Sequence, residues 1–187
     1  MDRQDGRLSR GQARRALLLD ASVRVVARDG AGGLTHRAAA AEAGVSLASV
    51  SYHFASIQAL RRATFDHAGS VVGLAFQARV LASDADLEDV GGILADYATT
   101  LLSERREATV AVFGMITAAS HDRELRPVVE LLNDRLADLL EPCAGSRRQA
   151  LTVAAAVQGL ILTALSTDRH THDDLHAAVL DLITRFR

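Results

Sequence analysis

The chain has 187 residues, enough for one sizeable core or two small ones. Hydrophobic residues make up 49% of it, aromatic ones only 4%, and tryptophan is absent, so any core must be built from Ala, Leu and Val, which favours packed helices. The formal net charge of −2 argues on its face against nucleic acid, and the single Cys143 excludes an internal disulfide and a cysteine-based zinc site, as fits a reducing cytoplasm.

In chain order, residues 1–11 interleave Arg3, Arg7 and Arg10 with glycine and polar side chains. They read as a mobile arm, either reaching phosphates or a minor groove or lying as a solvated tail. This stretch lacks the apolar core of a signal peptide, and Thr152, Gln158, Gly159 and Thr163 interrupt the most apolar later run, residues 150–165. A cytoplasmic protein without a membrane partner is therefore expected. The first helix is expected over residues 12–28, with Leu18, Ala21, Val25 and Val26 on one face. Arg14, Arg15, Arg24 and Arg28 fall largely off that face, and Asp29-Gly30 ends the helix.

Residues 34–54, LTHRAAAAEAGVSLASVSYHF, carry the pattern around which the rest is arranged. Two short helices, capped by Thr35 and Ser46, are separated only by Ala43-Gly44-Val45 and must cross steeply. Such a crossing needs a small residue at the contact, a glycine at the turn and a branched apolar anchor in the second helix. Ala40, Gly44 and Val50 meet these needs. The spacing is that of a helix-turn-helix, which places its second helix in the DNA major groove, although an ordinary helical hairpin shares it. Ser49, Ser51, Tyr52 and His53 favour the DNA reading, because they are short or flat polar groups suited to base edges and phosphates. The amides opening the preceding helix make a phosphate site that Thr35 and Arg37 can complete, with His36 either joining them or facing solvent.

From about Ala13 to Leu60 the chain resembles the N-terminal domain of TetR-type transcriptional regulators. The likeness rests on Thr35, Ala40, Ala43-Gly44-Val45-Ser46 and Tyr52-His53-Phe54, followed by Ser56 and Leu60. It covers about a quarter of the chain. Leu47 stands where many members carry Lys and Ser51 where they carry Tyr, and Tyr52 replaces the second. The resemblance implies a homodimeric repressor that binds a double-stranded, palindromic DNA operator and is released by a small-molecule effector. Ser46, Leu47, Ala48, Ser49 and Ser51 would then face bases, and Thr35, Arg37, Tyr52 and His53 would hold phosphates. Charge distribution agrees: residues 1–65 hold ten Arg against five acids, residues 66–187 eleven against eighteen, so a basic head precedes an acidic body.

Beyond Phe54 a long helix is expected from Ser56 to Leu81, as a lever between head and body. Further helices are expected over residues 86–103, 104–120 and 122–141, the last with Pro127 near its start and Pro142 as its stop. Another opens at a capping box formed by Ser146 and Gln149 and runs to Leu165. The last begins at Thr171 and aligns Leu175, Val179, Leu182, Ile183 and Phe186. The fold class is all-α, about nine helices, with a three-helix helix-turn-helix head at residues 1–55 and a ligand-binding and dimerisation bundle at 56–187. The helix ending at Leu165 is apolar nearly all round and needs cover on every side. A second copy is expected to supply part of it in a four-helix bundle through Ala155, Gly159, Leu162, Leu175, Val179 and Leu182.

No catalytic signature stands out, so an enzyme is not expected and no cofactor is implied. His172 and His176 lie one helical turn apart and could share a metal with Asp173 or His170, but Asp173 and Asp174 suit a helix start, and no metal is expected. For a small molecule, Phe76, Tyr97, Phe113, Met115 and Ile116 offer an apolar and aromatic lining, while Thr117, Ser120, His121 and Gln158 could orient it. The competing reading is a helical interaction or ligand-binding module that does not bind DNA.

Overall fold

The computed structural model describes residues 2–82, 87–167 and 171–185, and among these every regular element is a helix. In order they are α1 (Asp2–Gly33), α2 (His36–Ala43), α3 (Leu47–His53), α4 (Ile57–Ala82), α5 (Leu87–Leu102), α6 (Arg106–Ala118), α7 (Arg126–Ala144), α8 (Arg147–Ser166) and α9 (His172–Thr184). Asp86, His170 and Phe186, which figured in the expectations above, lie outside the described residues.

Local chemistry sets most of the boundaries. The Thr35 hydroxyl accepts the Ala38 N–H at 3.0 Å and the Ser46 hydroxyl accepts the Ser49 N–H at 3.2 Å, so each short helix has one of its orphan donors satisfied by a cap. Between them Gly44 adopts φ 64°, ψ 36°, and its N–H turns back to Ala40 and Ala41 carbonyls. The Val45 N–H also bonds the Ala40 carbonyl, at 3.0 Å. A side chain at Gly44 would meet nothing within 4 Å, so backbone conformation, not space, requires glycine there.

Four expectations need correction. Residues 2–11 form the first turns of α1, because extending an existing helix is far easier than nucleating one; the expected break at Asp29-Gly30 falls at Gly30, φ 74°. Pro142 does not stop α7, which runs to Ala144 and ends before Gly145 at φ 78°. A proline in the last turn removes a single hydrogen bond. The Gln149 side chain meets the Ser146 hydroxyl at 2.6 Å, and the reciprocal capping box occurs at Thr171 and Asp174. Finally, α8 is long and apolar enough to cross a membrane by length and composition alone, with a mean hydropathy of 1.5. Its Val153, Val157 and Ile161 nevertheless pack inside the protein.

The chain forms two compact units. The first comprises Met1–Ala68 and Val110–Arg126, the second Gly69–Thr109 and Pro127–Arg187. In the first unit α1 packs on α2 and α2 on α3, around Leu18, Val25, Val26, Leu34, Val50, Leu60 and Phe65, all essentially inaccessible. Its two buried hydroxyls are satisfied within their own helices: Ser22 donates to the Leu18 carbonyl and Thr64 to the Leu60 carbonyl, at 2.7 and 2.8 Å. In the second unit α5, α8 and α9 pack together. A Cβ at Gly91 would sit 3.0 Å from the Ile183 side chain, so α5 and α9 approach closely at that point.

Replacing Gly44 by Ala keeps every contact but forces a side chain into the left-handed region, at a cost of about 1–2 kcal/mol. Urea unfolding of Gly44→Ala is expected to show that loss; an unchanged midpoint would mean that the turn relaxes to another conformation.

Candidate functional site

The helix-turn-helix presents α3 outward by its periodicity. Val50 is fully buried and Phe54, at its C-terminal cap, is 3% exposed, while Tyr52 is 87% and Leu47 47% exposed. Ala48 and Ser51 are exposed beside them, and Ser46 is exposed at the start of the helix. Ser49 and His53 are half-buried. The Tyr52 and His53 rings meet edge-on at 5.2 Å. Thr35 and Arg37 are exposed, and Arg37 forms no ion pair among the described residues. His36 departs from the solvent-facing alternative: it is half-buried, and its Nε2 is enclosed without a hydrogen-bond partner.

Three features of this unit had no counterpart in the sequence reading. Arg24 Nε and Arg28 Nη1 hold the two carboxylate oxygens of Glu42 at 2.8 and 2.9 Å, and Arg28 also holds Asp29. Hydrogen bonds from Arg28 and then Arg24 lower the Glu42 pKa, and those to Asp29 and Glu42 raise that of Arg28. The one acidic side chain between Leu34 and Phe54 is thus neutralised. The Arg15 guanidinium lies 5.3 Å from the centre of the Phe54 ring, over the end of α3. His67 Nε2 lies 2.7 Å from Asp20 Oδ1, tying α4 to α1.

The residues expected to hold a small molecule are divided between the two units. Phe113, Met115, Ile116, Thr117, Ser120 and His121 belong to the first unit, and Phe76, Tyr97 and Gln158 to the second. Met115 is fully buried core, and the Thr117 and Ser120 hydroxyls bond the carbonyls of Phe113 and Thr117. Helical spacing had placed these residues on one sequence stretch without saying which way each faced. Gln158 contacts Asn133 at 3.4 Å. The second unit instead carries an open cleft of about 600 Å³ between α4 and α7, lined by Ser70, Gly73, Gln77, Leu132, Arg135 and Leu136 among others, none of them anticipated.

Deeper in the second unit, Phe76 and Tyr97 do meet. Their rings stack with centroids 5.3 Å apart, and they are 1% and 5% exposed. The Tyr97 hydroxyl has no hydrogen-bond partner, an omission that ordinarily costs about 1–3 kcal/mol. Burial pushes its pKa up to about 12, and the nearby charge of Arg105 pulls the other way. Arg105 donates from Nη1 to the Val71 carbonyl at 2.7 Å, and its Nε is buried with no partner.

The outward small-residue face of α8 is also on the surface of the single chain. Ala155 and Gly159 are exposed, Leu162 is 45% exposed and Leu182 is half-buried. Leu175 and Val179, expected at a subunit interface, are instead 2% and 0% exposed, because the apolar stripe of α9 is spent on α5 and α8 of its own chain. Leu151 and Leu180 are exposed in their place. Of the histidines weighed and set aside above as a metal pair, His176 pairs with Asp96 at 3.1 Å, and Asp174 serves the capping box.

An all-helical chain with an outward-facing helix-turn-helix and a separate helical unit is the architecture of a ligand-regulated DNA-binding protein. Comparison with known proteins agrees. Residues 18–64 match the bacterial regulatory proteins of the tetR family, and residues 85–186 the tetracyclin repressor-like C-terminal domain. The fold is similar to that of the transcriptional regulator SCO7518 from Streptomyces coelicolor A3(2), with 26% identity, a TM-score of 0.78, and 92% of this chain and 97% of that one covered. It is similar to the multidrug binding protein EbrR complexed with ethidium, at 31% identity and a TM-score of 0.74, covering 92% and 98%. A TetR-family member from Streptomyces coelicolor A3, SCO1917, is 30% identical, with a TM-score of 0.72, covering 90% and 97%. No curated protein matches the chain by sequence. The chain belongs to the TetR family of DNA-binding transcriptional regulators.

The Glu42 clamp carries a pH signature. A carboxylate whose folded pKa is lowered adds stability above its ordinary value of 4.5, and that stability is lost as pH falls through the folded value. Glu42→Gln is expected to flatten the loss of thermal stability as pH falls below 4.5 relative to the wild type. Parallel acid profiles would show that the clamp contributes nothing to folding.

Proposed function

We propose that the chain is a repressor that binds a palindromic operator as a homodimer in the cytoplasm and is released by a small molecule held in the second unit. The observation that carries this reading is α3: a seven-residue helix whose inner side is fixed by Val50 and whose outer side offers Leu47, Ala48, Ser51 and Tyr52 to solvent. Ser46, Leu47, Ala48, Ser49 and Ser51 face base edges, with Leu47 or Ala48 against a thymine methyl. Thr35, Arg37, Tyr52 and His53 hold phosphates, and His36 supports the start of α2. Two such heads read half-sites about one helical turn apart, ~34 Å.

Leu151, Ala155, Gly159 and Leu162 follow one another along a single face of α8, an uncovered apolar stripe that favours pairing with the same stripe of a second copy. EbrR is a multidrug binding protein, which supports a small-molecule effector here. α4 and α6 each contribute residues to both units, giving an occupied second unit a covalent route to the head. An effector that binds the released state ~1.4 kcal/mol better than the DNA-bound state shifts affinity tenfold.

A gel shift with the DNA upstream of its own gene tests the reading. Tyr52→Phe and His53→Ala are expected to weaken binding to all sequences by similar factors and to flatten its salt dependence, whereas Ser49→Ala changes preference at one base position. No shift of the wild type at any salt would favour a module that contacts protein instead.

Placing a charge in the α8 stripe tests the assembly. Ala155→Arg is expected to convert a sedimenting dimer to monomer with its helix content intact, and a dimer that survives would move the interface elsewhere.

A further inference from the structure

We propose that Phe76, Tyr97 and Arg105 form the anchor of the effector site and select an aromatic acid, a flat ring bearing a carboxylate, over an aromatic cation. This rests on the reading of the second unit as the effector-binding part of a regulator.

Among the described residues of the second unit, Tyr97 and Arg105 carry the enclosed polar atoms that find no partner. The Tyr97 hydroxyl is a donor carried on a 5%-exposed side chain, held by the stack on Phe76. Arg105 Nε is a second donor, and its guanidinium is fixed against α4 by the bond from Nη1 to the Val71 carbonyl. Among the described residues Arg105 pairs with no carboxylate, so in this half-buried setting its positive charge meets only the Val71 carbonyl there. Tyr97 stacks on Phe76 and Arg105 bonds the Val71 carbonyl five residues earlier, so both groups lie against the same stretch of α4.

A carboxylate satisfies both groups at once. One oxygen accepts the Tyr97 O–H, the other accepts Arg105 Nε–H, and the negative charge answers the guanidinium. The ring extends the stack of Phe76 and Tyr97. A cationic dye such as ethidium meets the wrong charge and offers neither donor an acceptor. The cleft on α4 is lined at Gly69, Gly73 and Gln77, with Arg135 and Asp138 across it, and a Cβ at Gly73, three residues before Phe76 on the same helix, would meet nothing within 4 Å.

The test is calorimetric titration of the full-length protein with naphthoate, salicylate and ethidium. The wild type is expected to bind at least one of the two carboxylates about tenfold or more tighter than ethidium. Tyr97→Phe, which keeps the ring and its stack, is expected to weaken carboxylate binding about threefold to tenfold and leave ethidium unchanged. Arg105→Met is expected to abolish the preference for the acid. Tyr97→Phe decides the matter alone if circular dichroism shows Arg105→Met unfolded. Failure of both carboxylates to bind, a preference for ethidium, or unaltered carboxylate affinity in Tyr97→Phe overturns the proposal. A parallel gel shift separates the two readings: DNA binding without carboxylate binding removes only the anchor, and carboxylate binding without any gel shift removes the repressor and keeps the anchor.

Discussion

The left-handed backbone at Gly44 is the constraint on which the DNA-reading head depends. α3 has seven residues, too few to be stable as an isolated helix. Its order is supplied from outside: the Ser46 cap at one end, the Phe54 ring beneath Arg15 at the other, and Val50 in the core between them. Each of those attachments requires the chain to leave α2 in one direction, and the αL conformation at Gly44 sets that direction. The outer residues of α3 are thereby held in a fixed orientation although none of them is buried.

Charge is arranged on the same logic. A basic head would be weakened by a carboxylate close to its recognition surface, yet Glu42 sits two residues before the turn. Arg24 and Arg28 enclose it in paired hydrogen bonds, leaving other cations such as the exposed Arg37 available to phosphate. These pairs are partly exposed and add little to stability in themselves. Their effect is on the local field at the head.

Buried polar groups are met in some places and unmet in others in both units; in the head, His36 Nε2 and Arg61 Nε are enclosed without a partner among the described residues. In the head, Ser22 and Thr64 are enclosed and each reaches a carbonyl one turn back. In the second unit, the Tyr97 hydroxyl stands at the end of a rigid ring that cannot fold back to its own helix, and Arg105 spends one nitrogen on Val71 and leaves another unmet. A core selected only for stability would fill such positions with apolar side chains. On the reading proposed above, these unmet donors beside a ring stack await a ligand's acceptors.

The helices, their caps and the helix-turn-helix were determined by the sequence itself, since a cap such as Thr35 with Ala38 or Ser46 with Ser49 involves residues three apart and the α3 periodicity repeats every four. What lies across the chain was not. The Arg24–Glu42 pair spans 18 residues and the His67–Asp20 pair 47, and neither spacing has a local signature. Tertiary packing also decided that the α9 stripe of Leu175 and Val179 is buried in its own chain, that Tyr97 stacks on Phe76, and that Arg105 reaches the Val71 carbonyl. An apolar stripe states that a face must be covered; which element covers it is fixed only when all the helices compete for the same core.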